Sequence, residues 1–150
     1  AVSDFVRNGG RVIAIEAATD FIAELFDLDI SNLTSGLPNT QFYIPGSILR
    51  LELDSVSEIN EGMRDEISAW YWRSSMAYEV DDPRIRIVAR YGQGDPLLSG
   101  WVLGGEHIAG EAAILEADIG EGSLVLFGFQ PNYRAQTVAT WPLLFNAMRK

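Results

Sequence analysis

The chain lacks cysteine altogether, has one histidine, and has 11 basic residues against 21 acidic ones. Without cysteine it forms no disulfide, iron–sulfur or thiolate zinc site. Its net charge of −10 leaves no basic face for phosphates, so we expect no nucleic-acid partner. No apolar run approaches the roughly 20 residues that span a bilayer, so we expect no membrane insertion.

What is present is typical of one globular domain. The 150 residues are 47% hydrophobic and 21% charged, enough apolar surface for a real core. We therefore treat residues 1–150 as a single domain. The chain does not begin with Met, and its first residues read as a helix already under way. We expect it to be a segment of a longer protein, so that any targeting signal of the parent would be missing from it.

The first 26 residues have the pattern of an α/β fold. A helix ends near Asn8, and Gly9-Gly10 supplies its stop. Residues 11–16 are almost continuously apolar, as in a strand buried on both faces. Thr19-Asp20 then offers an N-cap for a helix over residues 21–26. Helix, glycine stop, strand and helix predict a mostly parallel sheet.

The rest of the chain reads mainly as loop and strand. Residues 27–47 are rich in turn formers and predict a long loop, and 70–80 predict one or two short strands. Alternating patterns predict strands over 48–53 and 84–91. Residues 111–119 and 122–129 flank Gly120-Glu121-Gly122 and predict an antiparallel hairpin.

Residues 133–149 predict a closing amphipathic helix, with Pro142 indicating a kink or a start nearer Thr140. The apolar positions expected on its inner side are Val138, Trp141, Leu144, Phe145 and Met148.

The most informative stretch is the last apolar strand, which runs into Phe-Gln-Pro-Asn at residues 129–132. It resembles class I glutamine amidotransferases, in which the matching strand ends in Phe-His-Pro-Glu. Residues 10–20 resemble the strand and nucleophile elbow of the same family, with Glu16 where the cysteine stands. The triad positions are therefore Glu16, Gln130 and Asn132. The resemblance implies a flavodoxin-like α/β fold, with the first strands of the complete fold either upstream of Ala1 or trimmed away.

These replacements remove the chemical groups that the amidotransferase reaction requires. A cysteine nucleophile needs a thiolate and a neighbouring base, and neither Glu16 nor Gln130 supplies them. We therefore expect this segment not to be an enzyme, with no catalytic residue and no cofactor. The alternative is a small-molecule, glycan or peptide-binding module, with Glu16, Gln130 and Asn132 lining the old cleft at the carboxyl ends of the strands.

A second resemblance covers nearly the whole chain. Residues 42–49, 95–101 and 126–134 are similar to an accessory domain that follows the catalytic domain in bacterial zinc carboxypeptidase-like proteins of the carboxypeptidase A type. It implies a partner, the catalytic domain of the parent protein, and an exported location. The peptidase itself lies elsewhere, because its zinc needs a His-x-x-Glu pair and a distant His.

Three further residues are candidates for contact with a ligand or a partner. His107 could pair with a neighbouring glutamate, or with Glu16 in a residual hydrolase, but its glycine-rich setting favours an ordinary surface imidazole. Trp70 and Trp72 could anchor an interface or stack on a sugar. The simpler interpretation, which we favour, is that both fill the core from one strand face. We expect no metal site.

Overall fold

The computed structural model describes residues 1–149, which form three α-helices around one nine-stranded sheet. The helices are α1 (Val2–Arg7), α2 (Ala17–Phe26) and α3 (Trp141–Met148). The strands are β1 (Arg11–Ile15), β2 (Ile30–Asn32), β3 (Ser47–Leu53), β4 (Glu66–Tyr71), β5 (Tyr78–Val80), β6 (Ile85–Tyr91), β7 (Leu97–Ser99), β8 (Ala112–Ile119) and β9 (Gly122–Phe127).

The main sheet order is β1-β9-β8-β6-β3-β4, with β7 beside β3 and the β2–β5 pair attached to β8. Among the described residues, β1 and β9 form the one parallel pair, and the other pairs are antiparallel. The prediction of a mostly parallel sheet is therefore wrong. A parallel connection needs a crossover of a dozen or more residues, usually a helix. Between β2 and β9 the only helical segments are two 3-10 turns of three residues each, so this stretch has no crossover helix.

The predicted hairpin is confirmed. β8 and β9 pair from Ile114–Phe127 to Ile119–Gly122, and Gly120 adopts a φ of 64° at the turn. The predicted long loop contains the short strand β2, and the 70–80 region divides into the end of β4 and β5. No helix within residues 1–149 is long and apolar enough to cross a membrane.

The directions of the strands also determine which strand ends lie at the same edge of the sheet. β1, β9, β6 and β4 run in one direction, while β8 and β3 run in the other. The carboxyl ends of β1, β9, β6 and β4 therefore lie along one edge of the sheet. Glu16 follows β1 at this edge, Gln130 follows β9, and residues 72–75 follow β4.

Apolar side chains cover both faces of the sheet. α3 packs on one face through Leu143 and Ala147. The buried strand residues of that face include Leu49, Leu51, Val125 and Phe127. α1 and α2 cover the other face through Val6, Ile22 and Phe26. Its buried strand residues include Ala14, Leu115, Leu124 and Leu126.

One predicted helix start differs from the structure and the other is confirmed. α2 begins at Ala17 rather than after Thr19-Asp20, because the Thr19 hydroxyl and N–H both bond back to the Glu16 carbonyl. The start of the last helix near Thr140 is confirmed, with Pro142 in its first turn.

The predicted inner side of the last helix is wrong. α3 buries Leu143 and Ala147, while Val138, Trp141, Phe145 and Met148 are exposed.

Candidate functional site

The turn from β1 into α2 has the form of a nucleophile elbow, with Glu16 at its tip. Glu16 adopts φ = 50° and ψ = −125°, a conformation that residues other than glycine rarely adopt. Its N–H donates to the Phe127 carbonyl at 2.8 Å, which ties the elbow to β9. This sharp turn aims the Glu16 side chain along the carboxyl edge of the sheet.

The Glu16 carboxylate is sealed by hydrogen bonds, and Glu16 is only 6% exposed. The Ser75 hydroxyl donates to Oε1 at 3.0 Å, and the Ser74 hydroxyl donates to Oε2 at 2.9 Å. The Gln130 amide nitrogen also donates to Oε2, at 2.9 Å. All three donors are neutral, so the carboxylate is held by hydrogen bonding rather than by a cation. The predicted neighbours Glu16 and Gln130 are thus in direct contact.

Buried tyrosines support the segment that seals the elbow. The Tyr71 hydroxyl donates to the Ser75 carbonyl and the Tyr91 hydroxyl donates to the Met76 carbonyl, both at 2.8 Å. The Trp72 N–H in turn donates to the Ser75 hydroxyl oxygen at 3.0 Å. Burial, with smaller contributions from neighbouring tyrosines and from Glu16, raises the pKa values of both tyrosines well above their ordinary range. Both hydroxyls therefore stay protonated and keep donating.

Asn132 and His107 do not join this cluster. Asn132 is exposed and is not among the side chains bonded to Glu16. His107 lies in a 3-10 turn, and its ring packs edge-on against Phe42 with centroids 6.2 Å apart. The structure does not bring Glu16 and His107 together as a residual hydrolase would require. Residues 1–149 contain no group of three His, Cys, Asp or Glu side chains that could hold a metal ion.

Trp70 and Trp72 form an aromatic cluster at the surface rather than filling the core. Their rings lie nearly parallel to each other and to Tyr133, with centroids 5.6 to 6.1 Å apart. Trp70 is half-buried and Trp72 is 36% exposed. The chain approaches the two indoles closely at Gly46, because a Cβ there would lie 2.7 Å from the Trp70 ring. The interpretation as core filling is wrong, whereas a role in contacting a ligand or partner stays a prediction.

Sequence reasoning missed Ser74 and Ser75, the side chains that hold Glu16. They lie 58 and 59 positions away in the sequence, and neither belongs to a recognisable motif. The one sequence feature that could have identified them is the polar run Arg73-Ser74-Ser75 after an aromatic strand, because polar residues after a strand line the carboxyl edge of a sheet.

No protein-family model matches the chain, and no curated protein matches its sequence. Solved structures do match. A GMP synthase-like protein of Thermoplasma acidophilum shares 12% identity at a TM-score of 0.61, covering 97% of this chain and 60% of that one. A protein of Parabacteroides merdae described as ThuA-like shares 16% identity at a TM-score of 0.55, covering 96% and 61%.

A third match is a domain-sized part of a larger enzyme. The β-galactosidase of Bacillus circulans sp. alkalophilus shares 14% identity at a TM-score of 0.56, covering 97% of this chain and 19% of that one. The chain thus spans about 60% of the GMP synthase-like and ThuA-like proteins and a fifth of the galactosidase. Identities this low establish the fold alone. Residues 1–149 have a mixed α/β, class I glutamine amidotransferase-like fold.

Proposed function

We propose that the chain is a non-catalytic accessory domain of an exported zinc carboxypeptidase-like metallopeptidase, in which it packs against the catalytic domain. The structure of the elbow is the observation that supports a non-catalytic role. Its tip bears Glu16 instead of a thiol, and Ser74, Ser75 and Gln130 occupy the space around the carboxylate. A nucleophile must be free to reach a substrate. The Glu16 carboxylate is not free, because these three side chains are hydrogen-bonded to it.

The carboxypeptidase part rests on three segments that resemble the accessory domain, and these segments meet in the fold. Residues 42–49 contact residues 95–101, because the Ser47 hydroxyl donates to the Trp101 carbonyl at 2.8 Å. Residues 126–134 reach the same surface through Tyr133, which stacks on the two tryptophans packed against Gly46. Segments scattered in sequence but joined in space support a common structural role.

The open edge of the sheet supports a packing role. Within residues 1–149, β1 pairs with β9 on one side and with no strand on the other. On one face, Asp20 and Glu24 lie on the flank of α2 next to β2, and exposed Phe21 and Leu25 lie on the opposite flank. On the other face, α3 exposes Trp141, Phe145 and Met148. Apolar groups above and below an unpaired strand are typical of a surface that another domain covers.

The alternative function, a ligand-binding module that uses the old cleft, fits this geometry less well. A ligand at Glu16 would have to displace Ser74, Ser75 and Gln130, and each displaced donor would need a new partner. Asn132 would have to turn in from the surface. A glycan or peptide that contacted only the exposed face of Trp72 would displace none of these hydrogen bonds.

The first expected result is that the chain releases no ammonia from glutamine. The elbow offers a hydrogen-bonded carboxylate instead of a thiolate, so no acyl-enzyme forms. A coupled assay with glutamate dehydrogenase measures the release, with enzyme-free buffer as the blank and a Glu16→Gln variant as the matched control. Ammonia production that exceeds the blank and disappears in Glu16→Gln would contradict the non-catalytic assignment.

The second expected result concerns the complete parent protein. Replacing exposed Phe21 and Phe145 with aspartate should lower its melting temperature and alter its carboxypeptidase activity, because both charges would fall in the covered surface. The control replaces exposed Val56, which lies outside that edge, with aspartate. A parent without peptidase activity, or one whose stability and activity survive both replacements unchanged, would overturn the accessory role.

A further inference from the structure

A cavity of about 240 Å³ lies beside the sealed elbow, between the loop after β2 and the segment after β4. Its lining includes Thr34, Asn39, Phe42, Tyr43, Tyr71 and Arg73. This volume lies just below the range of pockets that hold drug-sized ligands, about 300 to 1,000 Å³. The cavity is therefore of a size for one amino-acid residue or a comparable small group.

The cavity is distinct from the elbow, although the two share a wall. Tyr71 forms the wall, and its hydroxyl donates to the Ser75 carbonyl at 2.8 Å. The Ser75 hydroxyl points the other way and donates to Glu16. Glu16 itself is not in the cavity lining. A ligand can therefore enter this cavity without breaking the hydrogen bonds that seal the elbow.

Arg73 gives the cavity a cation with free donors. Its Nη2 donates to the Tyr43 hydroxyl at 2.8 Å, and its guanidinium carbon lies 5.4 Å from the centre of that ring. Among the ion pairs of residues 1–149, none involves Arg73. A guanidinium carries five N–H donors in a planar fork that matches a carboxylate. Tyr43 uses one of them, so the remaining donors are available for an anion.

The rest of the lining favours an apolar group attached to that anion. Phe42, Tyr43 and Tyr71 contribute aromatic surface, and Thr34 and Asn39 add two polar side chains. Exposed Trp101 packs edge-on against Tyr43, with centroids 5.9 Å apart, which extends the aromatic surface outwards. Small-molecule sites commonly combine a mostly apolar wall with a few polar groups that fix orientation.

We propose that this cavity binds an α-carboxylate that carries an apolar side chain, with Arg73 paired to the carboxylate and the aromatic residues in contact with the side chain. The same chemistry occurs in a free apolar amino acid and at the C-terminus of a peptide. The site depends neither on the old triad positions nor on the identity of a parent enzyme. It would recognise its ligand without any covalent step.

The test titrates the isotopically labelled chain with three probes and follows the Trp101 indole signal and the Tyr43 amide by NMR. N-acetyl-L-phenylalanine presents the carboxylate and the side chain, N-acetyl-L-phenylalaninamide lacks the charge, and L-phenylalanine adds a free amine. We expect the acid to bind and the amide to bind at least about tenfold more weakly, because it loses the charge-assisted pair. Arg73→Gln should weaken acid binding by a similar factor.

The matched control is Arg64→Gln, which removes an exposed arginine that is not in the cavity lining and should leave binding unchanged. Acid and amide binding of equal strength, or full acid binding by Arg73→Gln, would overturn the proposal. So would the absence of any shift at about 10 mM acid, since affinity weaker than that is under 3 kcal/mol. If the acid binds, tighter binding of L-phenylalanine assigns the site to free amino acids, and tighter binding of the acetylated acid assigns it to peptide C-termini.

Discussion

Replacing Glu16 with alanine is expected to lower the free energy of unfolding by about 3 kcal/mol, because hydrogen bonds to a charged group contribute roughly 1.5 to 3 kcal/mol each and part of that is recovered by water. The substitution removes the acceptor of Ser74, Ser75 and Gln130 at once. Ser75 is 2% exposed, so its hydroxyl loses its acceptor with little access to water. Chemical denaturation monitored by tryptophan fluorescence measures the loss.

Two further variants separate the carboxylate from the backbone strain at the same position. Glu16→Gly removes the same hydrogen bonds but relieves the positive φ of 50°, so it should be more stable than Glu16→Ala by about 1 kcal/mol. Glu24→Ala removes an exposed carboxylate from the same helix and should change stability by less than about 0.5 kcal/mol. If Glu16→Ala is as stable as the natural chain, the carboxylate does not hold the 72–76 segment in place.

The sequence allowed those parts of the fold to be predicted that depend on neighbouring residues. The β8–β9 hairpin follows from two apolar runs that flank Gly120-Glu121-Gly122, and the start of α3 follows from Pro142. The proximity of Glu16 and Gln130 was predicted from a resemblance and is confirmed by a hydrogen bond across 114 positions. For the hairpin and the start of α3, a short local pattern limited the backbone to few conformations.

The parts that failed depend on packing between distant segments. The strand after Gly10 looked like the first of several parallel strands, but the chain supplies no crossover helices between β2 and β9. Ser74 and Ser75 reach Glu16 only because the segment after β4 crosses back along the carboxyl edge. No local periodicity encodes that crossing. The polar run Arg73-Ser74-Ser75 places polar side chains at the edge, but it does not indicate which carboxylate they hold.

A strained backbone position and an open cavity often belong to the same site. In this chain they are separate, because the strain lies at Glu16 and the cavity lies beside it. The elbow retains the strained backbone of a nucleophile position, yet its side chain is enclosed by its own neighbours. The cavity beside it is open and contains the Arg73 guanidinium, yet its lining includes neither a thiol nor a histidine. Strain at a residue such as Glu16 costs of order 1 to 3 kcal/mol. Here the hydrogen bonds from Ser74, Ser75 and Gln130 offset that cost.

Substituting Gly128 with alanine is expected to be at least as damaging as Glu16→Ala, lowering the free energy of unfolding by about 3 kcal/mol, the upper part of the usual range for overpacking. Gly128 joins β9 to the residues before Gln130. Its N–H donates to the Ala113 carbonyl at 2.8 Å, and its carbonyl accepts from the Met76 N–H at 2.6 Å. A Cβ at this position would overlap the Met76 carbonyl oxygen. Backbone held in place on both sides cannot yield as a flexible side chain would.

The same substitution should also loosen the seal over Glu16, because Met76 directly follows Ser75. Hydrogen exchange of the Trp72 and Met76 amides, both bonded in this segment, should accelerate relative to amides in β8. Gly94→Ala is the matched control, since Gly94 has a φ of 72° with open space around it and should cost only about 1 kcal/mol. Equal losses at Gly94 and Gly128, with unchanged exchange at Trp72, would show that close packing at Gly128 does not hold the seal.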